Sequence, residues 1–439
     1  MKTRMLLGVT ALGGAWILRK RLAAGRRTAF PPGPLALRAG DARAYAEIVA
    51  GRRRPEKRDL AISFASSTAT DVEPLLHGTH YFPRMLADIE AASSSIHLLM
   101  YGFQPGEIGT KFRDALVARA NQGVEVRLCV DEIGSAVHFG SRQLYGDLTA
   151  AGVQVVVNQG LFLDVEGVLG GRHWIDWRLD DFTHFDHRKM LIVDGRLAYV
   201  GGTGIEDHYN DERFYDAMVR LEGPVVAQLQ ALFLATFRLH DGRLSTDPAA
   251  LDHLFPALDD GGRGVPATVL ANVPGEGHHP ISDAIELLLE EAQERIDIVN
   301  PYITDHAILD RLQDAADRGV RVRIIAPGKP TPPYPAAAFR HHYGRLISSG
   351  VTIFLHPAMA HAKVVRVDDR VLVGGCNLDG LSLYRNLELN VLLEGAATAE
   401  AFEREILEPL AAMSTPATVP TDPRERRWNA AMDAVSRFL

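Results

Sequence analysis

Two short motifs carry residues that could act on a phosphate group. Each reads histidine, one residue, lysine, four residues and aspartate: His187, Lys189 and Asp194, then His361, Lys363 and Asp368. Residues two apart on a strand face the same side, so each histidine and its lysine can address one bound group. A lysine ammonium binds phosphate oxygens, and two histidines allow one to attack phosphorus while the other protonates the leaving oxygen.

This residue pattern disfavours a metal centre. A protonated lysine is not a metal ligand, so the His-x-Lys pattern argues against a zinc site, and no metal or other cofactor is predicted. Cys129 and Cys376 lie far apart in apolar stretches and are predicted to be buried free thiols. His341 and His342 are interpreted as polar surface or helix residues rather than ligands.

The elements that would position the motifs are repeated as well. Residues 95–135 and 295–328 each contain an apolar run, an amphipathic segment that ends at Gly123 or Gly319, and a second apolar run. This order predicts parallel strand–helix–strand units. Each motif then reads as a β-hairpin followed by a Gly-Gly pair.

The repeat predicts an α/β protein with two lobes related by a pseudo-twofold axis, whose motifs meet at the interface. Each lobe would be a mixed β-sheet flanked by helices. The predicted boundaries are a basic head (1–58), a first lobe (59–243), a linker (244–266), a second lobe (267–412) and a C-terminal tail (413–439).

The charge is distributed unevenly along the chain. Residues 1–58 hold 14 Lys/Arg against 3 Asp/Glu, a net charge of +11, whereas the rest carries −19 of the total −8. An acidic body disfavours a nucleic-acid partner, and the basic head suits an anionic membrane surface.

Two apolar segments bear on the membrane. As a helix, residues 5–18 would reach about 21 Å, short of the roughly 30 Å bilayer core. An uncleaved anchor, a cleaved signal peptide and a surface helix all stay open; an anchor would place the body on the cytoplasmic side of the cell membrane. Residues 158–177 read as either a lipid-dipping loop or a packed connection.

The paired motifs resemble those of the phospholipase D superfamily. Four segments are similar, more closely, to bacterial cardiolipin synthases and their relatives: residues 187–202, 219–233, 315–328 and 374–391. The resemblance runs from about residue 75 to 412. It is highly specific for the superfamily and much less specific for the substrate.

The resemblance implies roles for the motif residues. His187 would be the nucleophile that forms a phosphohistidine, and His361 the general acid and later the base; the reverse order stays open. Lys189, Lys363 and Asn377 would hold the phosphoryl oxygens, and the motif aspartates Asp194 and Asp368 would secure the hairpins. A carboxylate downstream would orient each histidine: Asp216, 29 residues after His187, and Glu388, 27 residues after His361.

Two departures from the family pattern affect phosphate binding. Gly204 stands where an asparagine is usual, and Thr203 or backbone N–H groups near Gly202 and Gly375 are the predicted substitutes. The second motif is one residue shorter than usual between Asp368 and its Gly-Gly pair, which could shift Asn377.

The function implied by the resemblance is transfer of a phosphatidyl group to an alcohol, with phosphatidylglycerol or a similar phospholipid as substrate. Three alternatives stay open: hydrolysis with water as acceptor, a phosphodiesterase acting on nucleic acid, and a non-catalytic membrane scaffold. The sequence leaves the lipid head group and the oligomeric state undetermined.

Overall fold

The computed structural model describes residues 37–51, 56–136, 138–158 and 185–436. The predicted apolar segment 5–18, most of the predicted lipid-dipping loop and the basic residues 52–54 lie outside these ranges. In chain order the strands are β1 Ser67–Ala69, β2 Asp71–Leu76, β3 Ser95–Met100, β4 Glu125–Asp131, β5 Gln154–Asn158, β6 Met190–Val193, β7 Leu197–Gly201, β8 Phe214–Tyr215, β9 Ala217–Glu222, β10 Val265–Asn272, β11 Arg295–Val299, β12 Arg321–Pro327, β13 Thr352–His356, β14 Met359–Ala360, β15 Val364–Val367, β16 Arg370–Gly374, β17 Glu388–Glu394 and β18 Thr415–Pro416.

Helices flank these strands. The α-helices are α1 Ala42–Gly51, α2 Gly78–Ala91, α3 Glu107–Asn121, α4 Ser141–Ala150, α5 Val225–Leu239, α6 Pro280–Glu291, α7 His306–Asp317, α8 Tyr334–His341, α9 Tyr343–Ser348, α10 Gly380–Tyr384, α11 Ala396–Phe402, α12 Glu408–Ala412 and α13 Pro423–Ser436. Among the described residues, no helix is long and apolar enough to cross a bilayer.

Two mixed sheets form the predicted pair of lobes. The first has the strand order β2-β9-β7-β6-β3-β4-β5, and the second contains the equivalent order β10-β17-β16-β15-β11-β12-β13 with β1 and β18 at its edges. The predicted strand–helix–strand units pair in parallel, β3 with β4 and β11 with β12. The α/β fold with two repeated lobes is therefore confirmed.

The connecting helices begin and end where local chemistry dictates. Asp305 precedes α7, and its carboxylate accepts a hydrogen bond from the backbone N–H of Ile308 at 3.1 Å. Gly319 follows α7 with φ 93°, and Gly123 follows α3 with φ 87°, the left-handed conformation that favours glycine after a helix. Both predicted helix ends are confirmed, and these helices hold each parallel strand pair in place.

Both motif hairpins form as predicted, but with turns of different length. Val193 pairs with Leu197 in the first hairpin, which leaves three residues in its turn. Val367 pairs with Arg370 in the second, which leaves two. The shorter turn absorbs the missing residue, so the register between the lysine and the Gly-Gly pair is the same in both copies.

A single hydrophobic cluster runs from one lobe into the other. It contains buried residues of β9 and α5 in the first lobe and of β10, β16 and β17 in the second. Strands β8 and β14, one from each lobe, also pair in parallel. The lobes therefore share a core as well as the site between them. Cys129 and Cys376 are buried free thiols, as predicted.

The ends of the described chain pack on the lobes. Helix α1, in the predicted head, buries Ala42, Ala46 and Val49, and the Gln228 side chain of α5 donates to the Leu37 carbonyl oxygen at 2.9 Å. Helix α13, in the predicted tail, packs against α8 of the second lobe. Both segments therefore form part of the folded body.

Helix α13 is held by a buried histidine whose environment differs from the one predicted. His342 is buried, and its Nε2 lies 2.7 Å from the Asp433 carboxylate; His306 Nε2 lies 2.9 Å from the same oxygen. Arg345 Nε donates to His342 Nδ1 at 3.1 Å. The proton of a neutral His342 is therefore on Nε2, where it donates to the Asp433 carboxylate.

Candidate active site

The motif histidines lie at the start of equivalent hairpins. Lys189 Nζ donates to the His187 carbonyl oxygen at 2.6 Å, and Lys363 Nζ donates to the His361 carbonyl oxygen at 2.6 Å. Arg188, on the opposite face, is fully buried and its Nη2 contacts the Asp186 carboxylate at 2.7 Å. Strand alternation thus keeps each histidine and lysine on the site's side while Arg188 fixes the strand from behind.

The orienting carboxylates come from the opposite lobe, not from the same copy of the repeat as expected. His187 Nδ1 lies 2.9 Å from Glu388 Oε1, and His361 Nδ1 lies 2.7 Å from Asp216 Oδ2. Both carboxylates are fully buried. Each histidine therefore has its ring orientation and tautomer set across the interface.

Backbone hydrogen bonds reproduce this crosswise arrangement. The His187 N–H donates to the Leu387 carbonyl at 3.0 Å, and the His361 N–H donates to the Tyr215 carbonyl at 2.6 Å. Leu387 and Tyr215 immediately precede the two orienting carboxylates. Each histidine is thus joined to the opposite lobe by two hydrogen bonds, one from its backbone N–H and one from its ring.

Burial shapes the charges of the two histidines. It lowers the pKa of His187 well below its usual value, and Lys189 and Lys363 lower that pKa further. Burial and Lys363 lower the pKa of His361 to about 4, although Asp216 opposes them. Both imidazoles are therefore neutral in the free protein, and a bound phosphate anion would favour the imidazolium.

The two carboxylates differ although their positions are equivalent. Burial raises the pKa of Glu388 to about 8 against the effect of Lys189. Burial also raises the pKa of Asp216, but Lys363 and His361 outweigh it and hold that pKa below its usual value. Asp216 is therefore ionised near neutral pH, whereas Glu388 titrates there.

The lysines lose part of their charge in the same pH range. Burial lowers the pKa of Lys189 to about 7 and that of Lys363 to about 8, despite nearby carboxylates. Lys363 Nζ lies 3.8 Å from Asp216 Oδ2, and Lys189 Nζ lies 5.0 Å from the centre of the Tyr101 ring. Near neutral pH both lysines are thus partly deprotonated, and a bound anion would favour their ammonium forms.

The motif aspartates lie at the hairpin turns and bind backbone. The Asp194 carboxylate accepts hydrogen bonds from the N–H groups of Ser93, Ser94 and Ser95 at 2.7 to 3.2 Å. Asp368 does the same for residues 293–295 at 2.9 to 3.0 Å. Both therefore secure the turn that precedes the first parallel strand of their lobe.

The second glycine of each pair allows the lobes to approach. A Cβ at Gly202 would lie 2.5 Å from Asp216 Oδ1 and 2.9 Å from Lys363 Cδ. At Gly375 it would lie 3.2 Å from Glu388 Oε2 and 3.2 Å from the His187 carbonyl oxygen. The backbone N–H groups of both glycines donate to main-chain carbonyls, Gly202 to Ala217 at 3.2 Å and Gly375 to Leu389 at 3.0 Å.

The predicted phosphate contacts differ between the two copies. Asn377 is buried beside His187 in a pocket, and its Oδ1 has no hydrogen-bond partner within the described ranges. Thr203 instead points into the protein: it is fully buried and its hydroxyl donates to the Tyr81 hydroxyl at 2.7 Å. The structure thus leaves Asn377 available to a ligand and engages Thr203 elsewhere.

The pocket beside His187 is bounded mainly by the second lobe and α13. Its wall includes Tyr302, Thr304, Pro332, Tyr334, Asn377, Asp379, Asn386 and Ser436. The Tyr209 and Tyr302 rings lie 5.7 and 6.5 Å from the His361 ring. The sequence analysis assigned no role to these aromatic residues or to the carboxylates Glu206 and Asp379. The signal for the two carboxylates was present, because 206 and 379 are equivalent positions of the repeat.

Taken together, the geometry provides two imidazoles at the interface of the lobes, a buried lysine beside each, and the Asn377 amide beside His187. One imidazole can attack a phosphorus atom from one lobe while the second delivers a proton from the other. Charge on non-bridging phosphate oxygens would be met by the lysines. Such an arrangement suits in-line displacement at a phosphodiester.

Comparison with known proteins agrees with this chemistry. The family described as "Cardiolipin synthase, PLD-like domain" matches residues 85–237 and 285–408. Cardiolipin synthase 1 of Bacillus anthracis is 28% identical over 387 residues, covering 82% of this chain and 73% of that protein. Major cardiolipin synthase ClsA of Bacillus subtilis strain 168 is 30% identical over 387 residues, covering 86% and 76%.

A solved structure shares the architecture. Phosphatidylserine synthase of Haemophilus influenzae Rd KW20 superposes with a TM-score of 0.66 at 15% identity, covering 91% of this chain and 100% of that one. At this identity the likeness concerns the fold alone.

Proposed function

This chain belongs to the cardiolipin synthase, PLD-like domain family, and on that basis we propose that it transfers a phosphatidyl group from phosphatidylglycerol to an alcohol. The observation that carries the proposal is the crosswise pair of buried histidine–carboxylate contacts, at 2.9 and 2.7 Å, with a lysine beside each histidine. The natural acceptor would be the glycerol hydroxyl of a second phosphatidylglycerol, which gives cardiolipin.

The first step would occur at His187. Its Nε2 attacks phosphorus and forms a P–N bond, while the P–O bond to the leaving glycerol breaks. His361 donates a proton to that leaving oxygen, and Lys189, Lys363 and Asn377 bind the non-bridging oxygens. Glu388 accepts a hydrogen bond from the Nδ1–H of His187, which keeps the proton on Nδ1 and leaves the Nε2 lone pair free to attack.

The second step would reverse these roles. The acceptor hydroxyl gives its proton to His361 as its oxygen attacks phosphorus, and the P–N bond to His187 breaks. The assignment of His361 as acid and base is supported by Asp216, whose ionised carboxylate stabilises the imidazolium. Glu388, which titrates near neutral pH, stabilises a charge on His187 less.

We also propose the predicted surroundings of this reaction. The basic head would bind an anionic membrane surface and hold the body at the cytoplasmic face of the cell membrane. The two lobes would act as one unit, with the linker as a tether.

The test is product analysis on the purified protein in phosphatidylglycerol vesicles. We expect one glycerol released for each cardiolipin formed, and no cardiolipin from His187→Ala or His361→Ala. His80→Ala is the matched control, because His80 is exposed and belongs to neither motif. Phosphatidic acid as the sole product would identify water as the acceptor, and absence of any lipid product would contradict the proposal.

A further inference from the structure

The two copies of the repeat differ at the positions that follow the Gly-Gly pair. The second copy reads Gly374-Gly375-Cys376-Asn377-Leu378-Asp379, and the first reads Gly201-Gly202-Thr203-Gly204-Ile205-Glu206. The structure keeps the equivalence, because Leu378 forms a parallel bridge with Ile303 and Ile205 forms one with Phe103. Glu206 is thus the counterpart of Asp379, one methylene longer, and Gly204 is the counterpart of Asn377.

These two acidic residues have different tasks. The Asp379 carboxylate caps α10 by accepting a hydrogen bond from the Ser382 N–H at 2.8 Å. In the first copy Glu206 precedes the equivalent short helical turn Asp207–Asn210 but makes no side-chain capping hydrogen bond to it. Asp207 caps a different helix, α3, by accepting from the N–H groups of Glu107 and Ile108 at 3.0 and 2.8 Å. Glu206 is therefore free of helix capping.

The Glu206 side chain fills the space that two glycines leave open. A Cβ at Gly204 would lie 2.6 Å from Glu206 Oε1 and 2.9 Å from the Gly102 carbonyl oxygen, and a Cβ at Gly102 would collide with the same Glu206 atom. The backbone here is fixed, since the Ile205 N–H donates to the Gly102 carbonyl at 2.8 Å. An asparagine at 204 and the glutamate at 206 would compete for one position.

The carboxyl group is enclosed beside the first motif. The Glu206 side chain is 12% exposed, and its Oε2 lies 3.6 Å from His208 Nδ1. Burial raises the pKa of Glu206 to about 7, although Lys189 opposes this. The titratable groups around it are Lys189, His208, Tyr101, Tyr145 and Tyr209.

We propose that Glu206 replaces the asparagine missing from the first motif: its protonated carboxyl group donates a hydrogen bond to a non-bridging oxygen of the substrate phosphodiester, beside Lys189. The proposal rests on phosphodiester chemistry at the proposed active site. An ionised carboxylate there would repel the phosphate, whereas a carboxylic acid supplies the donor that an asparagine amide would supply.

Four variants test this at pH 6.5, with kcat/KM for phosphatidyl transfer and Kd for inorganic phosphate as readouts. Glu206→Ala should lower kcat/KM about 100-fold, in the range for removal of one oxyanion donor. Glu206→Gln keeps a neutral donor of similar size and should stay within about fivefold of wild type. The double variant Gly204→Asn with Glu206→Ala restores the family asparagine. Its Cβ still meets the Gly102 carbonyl oxygen at 2.9 Å, so we expect a recovery of at least about tenfold over Glu206→Ala rather than the wild-type rate.

The matched control is Gly204→Ala with Glu206→Ala, which fills space at residue 204 without an amide and should stay as slow as Glu206→Ala. Thermal unfolding of each variant separates loss of fold from loss of a donor. Any of three results would overturn the proposal. Glu206→Ala could behave as wild type, both Glu206→Ala and Glu206→Gln could turn over faster than wild type, or the control could recover as much activity as the asparagine variant.

Phosphate affinity keeps this test separate from that of the overall function. If the wild-type protein makes no lipid product, the phosphatidyltransferase assignment fails, while weaker phosphate binding by Glu206→Ala would still support the contact. If cardiolipin forms but all four variants bind phosphate and turn over like wild type, only the Glu206 contact fails.

Discussion

At the scale of single residues, the two halves of the candidate active site have the same geometry but different charges. Asp216 stays ionised beside His361, whereas Glu388 beside His187 titrates near neutral pH. A neutral histidine with a free Nε2 is the better nucleophile, and a histidine beside a fixed negative charge is the better proton carrier. The repeat in the sequence does not predict this difference between the two histidines, because the difference arises from burial and from neighbouring lysines.

The crosswise pairing predicts which step each carboxylate controls. With a p-nitrophenyl phosphatidyl ester, whose leaving group needs no proton, Glu388→Gln should slow the p-nitrophenol burst by weakening His187. The loss should reach about 10³- to 10⁴-fold above the Glu388 pKa of about 8, where the carboxylate is ionised, and should be smaller below it. Asp216→Asn should leave the rate of the burst unchanged and slow the steady-state turnover that follows, because that step needs His361 as base. Stopped-flow absorbance measures both.

Same-copy pairing would reverse these results, with Asp216→Asn losing the burst. Glu212→Gln, an exposed change near Asp216, is the control and should behave as wild type.

The depressed lysine pKa values predict weaker anion binding at alkaline pH. The ammonium forms of Lys189 and Lys363 are present below pKa values of about 7 and 8 and are lost as pH rises through them. The affinity for inorganic phosphate should therefore fall roughly tenfold or more between pH 6.5 and 8.5, measured by calorimetry. Lys189→Arg keeps its charge across this range and should flatten the decline; an unchanged slope would contradict the assignment.

At the scale of elements, the hairpins are the units that carry the motifs, and most of their design could be predicted. Alternation, the Asp-Gly turn and the Gly-Gly pair all predicted the observed β6–β7 pairing. The two-residue bridging strand Phe214–Tyr215 has too little periodicity to be predicted from sequence. The resemblance to the phospholipase D superfamily and the spacing it implies identified the two carboxylates, but spacing cannot distinguish two equivalent partners when the lobes face each other.

The motif aspartates should matter for stability rather than for chemistry. Asp194→Asn tolerates the observed φ of 53° and removes the charge that accepts several backbone hydrogen bonds. We expect a loss of about 1 to 2 kcal/mol in unfolding free energy at pH 7, measured in urea, with kcat/KM within about fivefold of wild type.

The difference in unfolding free energy between wild type and Asp194→Asn should disappear at acidic pH. Burial raises the pKa of Asp194, but backbone hydrogen bonds from Ser95 and its neighbours outweigh it and hold the pKa below its usual value. The stabilisation is therefore present above the unfolded-state pKa of about 4 and is lost as pH falls through the folded value. Asp369→Asn is the exposed control and should change neither quantity; a kcat collapse in Asp194→Asn would indicate a role in chemistry.

At the scale of the whole molecule, the protein is two lobes that complete each other's histidines. The linker also packs on this arrangement: Leu251 and Leu254 are buried in the shared hydrophobic cluster, whereas Gly261 and Gly262 near its end are exposed with φ 59° and 72°. The shared hydrophobic cluster and the crosswise hydrogen bonds hold the lobes together.

A protease site inserted between Gly261 and Gly262 tests this. After cleavage, the two fragments should elute together and keep at least half of the activity, because no catalytic contact depends on the linker. Size-exclusion chromatography and the cardiolipin assay check both points. Separation of the fragments in the absence of denaturant would contradict the shared core.

The distance along the chain between each histidine and its carboxylate has a consequence for synthesis. Glu388 is 201 residues beyond His187, at the start of β17. A ribosome that has released only the first lobe has made the proposed nucleophile, His187, without the carboxylate that orients it. Truncated chains and stalled translation products would therefore be harmless to the lipids around them, and the enzyme would become reactive only when nearly all of it has been made.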